Sequence, residues 1–162
     1  MKHEFFKKTF SAYSPDQLAA WLRPLGFSLD NPQPIAKAIL ALSDIYTSNR
    51  GSSAVWEDPR FLAAYLCYFM PLNLMRCEAA LLQTRHLPKT SYLIDYGAGL
   101  GALSLAALNS HSFEKIILYE PSKKALKMAE QIFADLRPSA PVQFESSSSR
   151  IDQFLNSSAS KT

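Results

Sequence analysis

Residues 92–108 read Tyr-Leu-Ile-Asp-Tyr-Gly-Ala-Gly-Leu-Gly-Ala-Leu-Ser-Leu-Ala-Ala-Leu, and the fold turns on the change of period in the middle of that stretch. Tyr92-Leu93-Ile94-Asp95-Tyr96 is an apolar run of strand length, whereas Leu100, Leu103, Leu105, Ala106 and Leu108 recur at helical spacing. Between them lie Gly97, Gly99 and Gly101, three of the five glycines in the chain. The order is therefore strand, glycine turn, helix. The first glycine permits a tight reversal, the second lets backbone approach a ligand with no Cβ in the way, and the third lets the helix pack closely on the strand. Amides at the helix N-terminus then face the ligand.

Working downstream, Lys115-Ile116-Ile117-Leu118-Tyr119-Glu120 reads as a second buried strand. Ser122 to Leu136 is a helix with Ala125, Leu126, Ala129, Ile132 and Phe133 on its apolar face, and Pro141 to Glu145 is a third strand. The order βαβαβ predicts a parallel sheet with right-handed crossovers. Glu120, nineteen residues after Gly101 and at the carboxyl end of the second strand, is placed to accept hydrogen bonds from both hydroxyls of a ribose. The candidate cofactor cradle is accordingly Asp95, Gly97, Ala98, Gly99, Gly101 and Glu120. Gly97 to Ala102 also satisfies the G-x-G-x-x-[GA] dinucleotide pattern, so spacing alone leaves NAD(P) or FAD open beside other nucleoside cofactors.

Upstream of residue 90 the pattern is helical. Ser14-Pro15, Asn31-Pro32 and Asp58-Pro59 each pair a good N-cap side chain with a proline at the first helical position. The run after Pro59 is too apolar for a surface helix, with Tyr65, Tyr68 and Phe69 at core spacing and a kink expected at Pro71. A further helical segment runs from Leu74 to Arg85, and residues 48–53 read as a polar, glycine-bearing loop. The chain thus divides into a helical N-terminal region (1–89), a partial Rossmann-like core (90–145) and a serine-rich tail (146–162) that holds one short helix candidate over Ile151–Leu155.

The chain has 162 residues, a formal charge of +3, and is 48% hydrophobic and 19% charged, which excludes collagenous, coiled-coil and wholly disordered classes. Cys67 and Cys77, ten residues apart in apolar sequence, fit neither a disulfide framework nor a zinc site and read as reduced, buried thiols. His3, His86 and His111 are scattered without acidic or cysteine partners, so no metal site is expected. No apolar run approaches the length that spans a bilayer, since Phe61 to Leu74 is broken by Pro71 and Asn73. The N-terminus lacks an apolar core and cleavage site, and Glu4 and Asp16 oppose a transit peptide, which makes the expected location cytoplasmic. Lys2, Lys7, Lys8, Arg76, Arg85, His86 and Lys89 are candidate phosphate contacts, but +3 overall is far from the basicity of a dedicated nucleic-acid domain.

Asp95, two residues before Gly97, gives D-x-G-x-G-x-G, which resembles the first motif of class I S-adenosylmethionine-dependent methyltransferases. The helical block Ala64-Tyr65-Leu66 … Met70-Pro71, leading into Leu93-Ile94-Asp95-Tyr96-Gly97-Ala98-Gly99-Leu100-Gly101, is similar to the ribosomal small-subunit-associated methyltransferase-like family, whose mitochondrial members are assembly factors of that subunit. The resemblance covers roughly residues 40–135. It implies S-adenosylmethionine as cofactor, lined by the residues matching Asp95, Gly97, Gly99 and Glu120, and the small ribosomal subunit or its rRNA as partner. It also implies a sheet in which the first strand is central, paired on one side with a fourth strand that would bear the residues facing the transferred methyl. This chain stops after what would be the third strand, so the resemblance implies a truncated core with no catalytic residue to name. Self-association through the uncovered edge, or complementation by a carboxyl-terminal half, is the corollary. The alternatives are a non-catalytic RNA- or ribosome-binding module and a fragment of a nicotinamide- or flavin-dependent oxidoreductase.

Overall fold

A computed structural model describes residues 13–48, 53–83 and 92–147. It divides into two compact units, Met1–Arg76 and Cys77–Thr162.

The first unit is helical. Helix α1 (Pro15–Leu22) begins with a reciprocal capping box, the Ser14 hydroxyl accepting from the Gln17 N–H while the Gln17 side chain accepts from the Ser14 N–H. It buries Trp21 and Leu22 and runs into a 3₁₀ turn (Arg23–Leu25) that Gly26 ends at φ +83°. Helix α2 (Gln33–Ser48) buries Ile35, Ala38 and Leu42, at the spacing of one face. Its start lies one residue beyond the expected cap: the Ala36 N–H bonds to the Pro32 carbonyl, so Pro32 rather than Asn31 occupies the capping position and Pro34 sits in the first turn. Helix α3 (Pro59–Ala64) is capped by Asp58, whose carboxylate accepts from the Arg60 N–H and also pairs with the Arg60 guanidinium at 2.6 Å.

Between α3 and α4 (Met70–Gln83) the helix widens into a π turn, Tyr65–Phe69, in which the Met70 N–H reaches back to the Tyr65 carbonyl. It lies immediately before Pro71, where the sequence leads one to expect an irregular turn. A proline inside a regular α-helix loses a hydrogen bond and strikes the carbonyl four residues earlier, and a wider turn immediately before it gives the ring room. Leu62, Leu66, Met70 and Leu74 are all buried along this run. Tyr65 is buried too, edge-on to Trp56 at 4.9 Å, with its hydroxyl accepting from the Asn73 side chain. Tyr68 corrects the core assignment: it is 49% exposed, its ring standing perpendicular to that of Phe69, because the widened turn rotates it outward. Cys67 and Cys77 are free and half-buried; burial pushes the Cys67 thiol up to about 11 and raises that of Cys77 also. Residues 49–52 of the expected loop, Arg85 at the end of the expected helix and the tail helix candidate at 151–155 lie outside the described residues.

In the second unit, β1 (Tyr92–Tyr96), β2 (Lys115–Tyr119) and β3 (Val142–Glu145) form a parallel sheet in the order β1-β2-β3, with α5 (Ala102–Ser110) and α6 (Lys123–Leu136) as the crossovers. This is the mixed α/β, Rossmann-like arrangement expected from the sequence. In register, Asp95 stands beside Leu118 and Leu118 beside Phe144, whereas Ile94 stands beside Ile117 on the other face. The helices cover the Leu118 face: Phe133 of α6 meets Phe144 edge-on at 5.8 Å. Strand β2 buries Ile116, Ile117 and Leu118, as a middle strand of a parallel sheet must. Helix α6 is capped by the Ser122 hydroxyl and closed by Arg137 at φ +49°. No helix among the described residues is long and apolar enough to cross a membrane.

Candidate functional site

The glycine turn hangs from the end of β2. The N–H groups of Gly97 and Ala98 both donate to the Tyr119 carbonyl at 2.9 Å, and the Gly101 N–H donates to the Ala98 carbonyl at 2.8 Å. Gly97, Gly99 and Gly101 all lie at positive φ, +75°, +55° and +83°, where an L side chain is strained. Their surroundings differ. A Cβ on Gly97 would meet nothing within 4 Å, whereas one on Gly101 would fall 2.5 Å from Phe133 Cε2 and 2.9 Å from Leu118 Cδ2. Gly101 is therefore the residue that lets α5 settle onto sheet and neighbouring helix, the role expected of the third glycine.

Gly101 is also the N-cap of α5 and has no side chain to cap with. Asp95 takes over that function from the end of β1: its Oδ2 accepts from the Ser104 N–H at 3.2 Å and from the Ser104 hydroxyl at 2.8 Å. Asp95 is 5% exposed, and burial raises its carboxyl above the usual carboxylate range; the Ser104 hydrogen bonds oppose that rise and the charge of Glu120 adds to it. The first intrahelical bond of α5 is Leu105 N–H to Gly101 carbonyl, so the N–H groups of Ala102 and Leu103 precede the helical ladder at the position where such a fold presents donors to an anion or a carboxylate.

Glu120, also 5% exposed, follows β2 directly, its N–H held by the Glu145 carbonyl at 3.0 Å. Its carboxylate bridges the turn to the next helix: Oε2 accepts from the Gly99 N–H and Oε1 from the Ser122 N–H, each at 2.9 Å. The two sequence features twenty-one residues apart are thus in direct contact. A carboxylate has about four lone-pair sites, and two of these remain for further donors.

All six sequence-predicted residues converge at the carboxyl ends of β1 and β2, the place where open α/β sheets bind ligands. Ser104 and Ser122 join them without having been singled out, through their hydrogen bonds to Asp95 and Glu120. Ser104 carried a signal, being a fully buried polar residue in the otherwise apolar run 102–108. Glu145, 5% exposed at the end of β3, accepts a hydrogen bond from the Gln143 side chain. His111 lies apart, its Nδ1 2.9 Å from the Ser110 hydroxyl; His3 and His86 lie outside the described residues, as do Lys2, Lys7, Lys8, Arg85 and Lys89. Among the described residues no group of three His, Cys, Asp or Glu is placed to hold a metal ion. No protein-family model, curated protein or solved structure matches this chain.

Proposed function

We propose that the chain is the S-adenosylmethionine-binding portion of a methyltransferase-like protein. The observation that carries this reading is the Glu120 carboxylate on the Gly99 N–H, which joins an acid at the end of the second strand to the glycine turn after the first. That pairing sets a carboxylate against the glycine turn, as a ribose acceptor would need, and a Cβ on Gly97 would meet nothing within 4 Å, so the turn is open there. The residues present fit the cofactor: Glu120 would hold the ribose hydroxyls, and the Ala102 and Leu103 amides with the turn would face the methionyl carboxylate. When bound, S-adenosylmethionine supplies a methyl group on a sulfonium, activated without any help from the chain. Asp95 contributes by position, fixing α5 against β1 through Ser104. The small ribosomal subunit is the proposed partner, on the resemblance of the helical block, and co-sedimentation with purified subunits tests it.

A thermal-shift panel of S-adenosylmethionine, S-adenosylhomocysteine, NAD and FAD tests the cofactor. Stabilisation by the two adenosyl thioether and sulfonium compounds, and by neither dinucleotide, is expected; the reverse pattern would make the site an oxidoreductase fragment. Glu120→Ala should weaken adenosyl binding by roughly ten- to hundred-fold, the cost of losing a charged acceptor of about 1.5–3 kcal/mol. Glu120→Gln should be little better. With both carboxylate oxygens engaged by N–H donors, a glutamine satisfies one and turns its own NH₂ toward the other.

A further inference from the structure

The Glu120 carboxylate is held from two sides. Its Oε2 accepts from the Gly99 N–H in the turn after β1, and its Oε1 from the Ser122 N–H at the start of α6, each at 2.9 Å. Ser122 is itself anchored, its carbonyl accepting from the Leu126 N–H at 2.9 Å and its hydroxyl from the Ala125 N–H at 3.3 Å. Two tasks meet in one residue: hydroxyl and carbonyl begin the helix, while the N–H donates to the carboxylate. One hydrogen bond would leave that carboxylate able to turn about the bond joining it to its side chain. Two, to opposite oxygens and from separate elements, fix its plane. Each oxygen has then spent one lone pair and keeps another, an arrangement that takes two neighbouring hydroxyls at once and adds geometric specificity to the contact. Because Glu120 is buried, an oxygen left short of a donor under a bound ligand is costly.

We propose that Ser122 is a positioning residue of this site: together with Gly99, its N–H fixes the plane of the Glu120 carboxylate, so that the carboxylate takes both hydroxyls of a ribose and the site selects a ribonucleoside over its deoxy counterparts. The inference rests on the reading of Glu120 as the ribose acceptor and deepens it. Loss of either hydroxyl leaves one oxygen of a buried carboxylate short of a donor, which is how a site built to bond a hydroxyl rejects the analogue lacking it. The helix-capping hydroxyl of Ser122 has no part in that selection.

Nuclear magnetic resonance titration of the full 162-residue chain with adenosine, 2′-deoxyadenosine and 3′-deoxyadenosine tests this, with S-adenosylhomocysteine as a check on the site itself. The parent is expected to prefer adenosine to both deoxynucleosides by about ten-fold. Ser122→Pro replaces the N–H by a ring carbon at a residue whose φ of −73° proline adopts, and should cut that preference to about two-fold. Ser122→Ala is the conservative variant: it removes the hydroxyl and keeps the N–H, so it should melt below the parent for want of the cap while retaining the preference. A Ser122→Pro chain that loses adenosine and the deoxynucleosides equally, or a Ser122→Ala chain that loses the preference, overturns the proposal. Exchange of the Ser122 amide in the parent decides it however the variants fold: adenosine should slow that exchange more than 2′-deoxyadenosine does, and equal rates with the two overturn the proposal. A parent that binds S-adenosylhomocysteine and treats the three nucleosides alike overturns it while leaving the cofactor reading intact; a parent that binds none of the four compounds overturns both.

Discussion

Because Gly101 cannot cap α5, the cap comes from Asp95, and a buried carboxylate is the consequence. Its proton is held more tightly in the folded chain than in the unfolded one, since burial outweighs the two Ser104 hydrogen bonds. The sign follows: a carboxyl raised on folding contributes stability that is fully present below its unfolded value, about 3.9, and lost as pH rises through the folded value. Asp95→Asn keeps an oxygen for both Ser104 donors and removes the charge. It should therefore melt above the parent at neutral pH, the advantage shrinking to nothing as pH falls below about 4, in thermal denaturation followed across that range. Asp95→Ala should lose about 1 kcal/mol in urea, as an uncapped helix does. Ligand affinity should change little in Asp95→Asn, because the carboxylate turns toward Ser104. This partnership was not legible in the sequence. The acid was visible at the strand end, but its partner lies nine residues on, and only the closed turn brings the two together.

At the scale of the strand, turn and helix, the three glycines are not equivalent. Gly97→Ala incurs the strain of a side chain at positive φ, about 1–2 kcal/mol, with room for the methyl group. Gly101→Ala incurs that strain and also drives a methyl into Phe133 and Leu118, which adds about 1–3 kcal/mol of overpacking. Urea midpoints should therefore fall in the order parent, Gly97→Ala, Gly101→Ala. Equal midpoints would mean that α5 can draw back from α6 without cost. Most of these elements were readable from the chain. The shift from helical to strand period near residue 90, the glycine turn and the apolar face of α6 are local patterns. The capping box at Ser14 and Gln17 was recoverable in the same way, from proline-opened helix starts. The start of α2 was misplaced by one residue because prolines stand at both 32 and 34, and either fits a first turn. The Glu120 bridge was beyond reach, since it depends on how closely β2 lies beside the turn.

For the whole molecule, among the described residues β1 pairs with β2 on one side and forms an edge of the sheet, with Leu93 and Ile94 half-exposed where β2 buries its own isoleucines. Such an edge is a template for another strand. Light scattering from the purified chain should rise with concentration beyond ideal behaviour, and Ile94→Lys should suppress the rise; a monodisperse parent at all concentrations would mean that this edge is covered. The helical unit has a different bearing on how the chain tolerates change. From Leu62 through Leu66 and Met70 to Leu74, its large buried aliphatic side chains step by four. In a helix of 3.6 residues per turn each such step overshoots by about 40°, so three steps would carry the stripe roughly a third of the way round. The π turn absorbs that surplus and is, in effect, a one-residue insertion. Deleting Tyr68 changes the steps to four, three and four, which an ordinary α-helix keeps in phase, but it leaves Pro71 in a helix interior at a cost of about 3 kcal/mol. Deletion of Tyr68 alone should therefore cripple folding, and the same deletion combined with Pro71→Ala should restore it, so that whether this segment survives the loss of a residue is decided by a proline three positions further along.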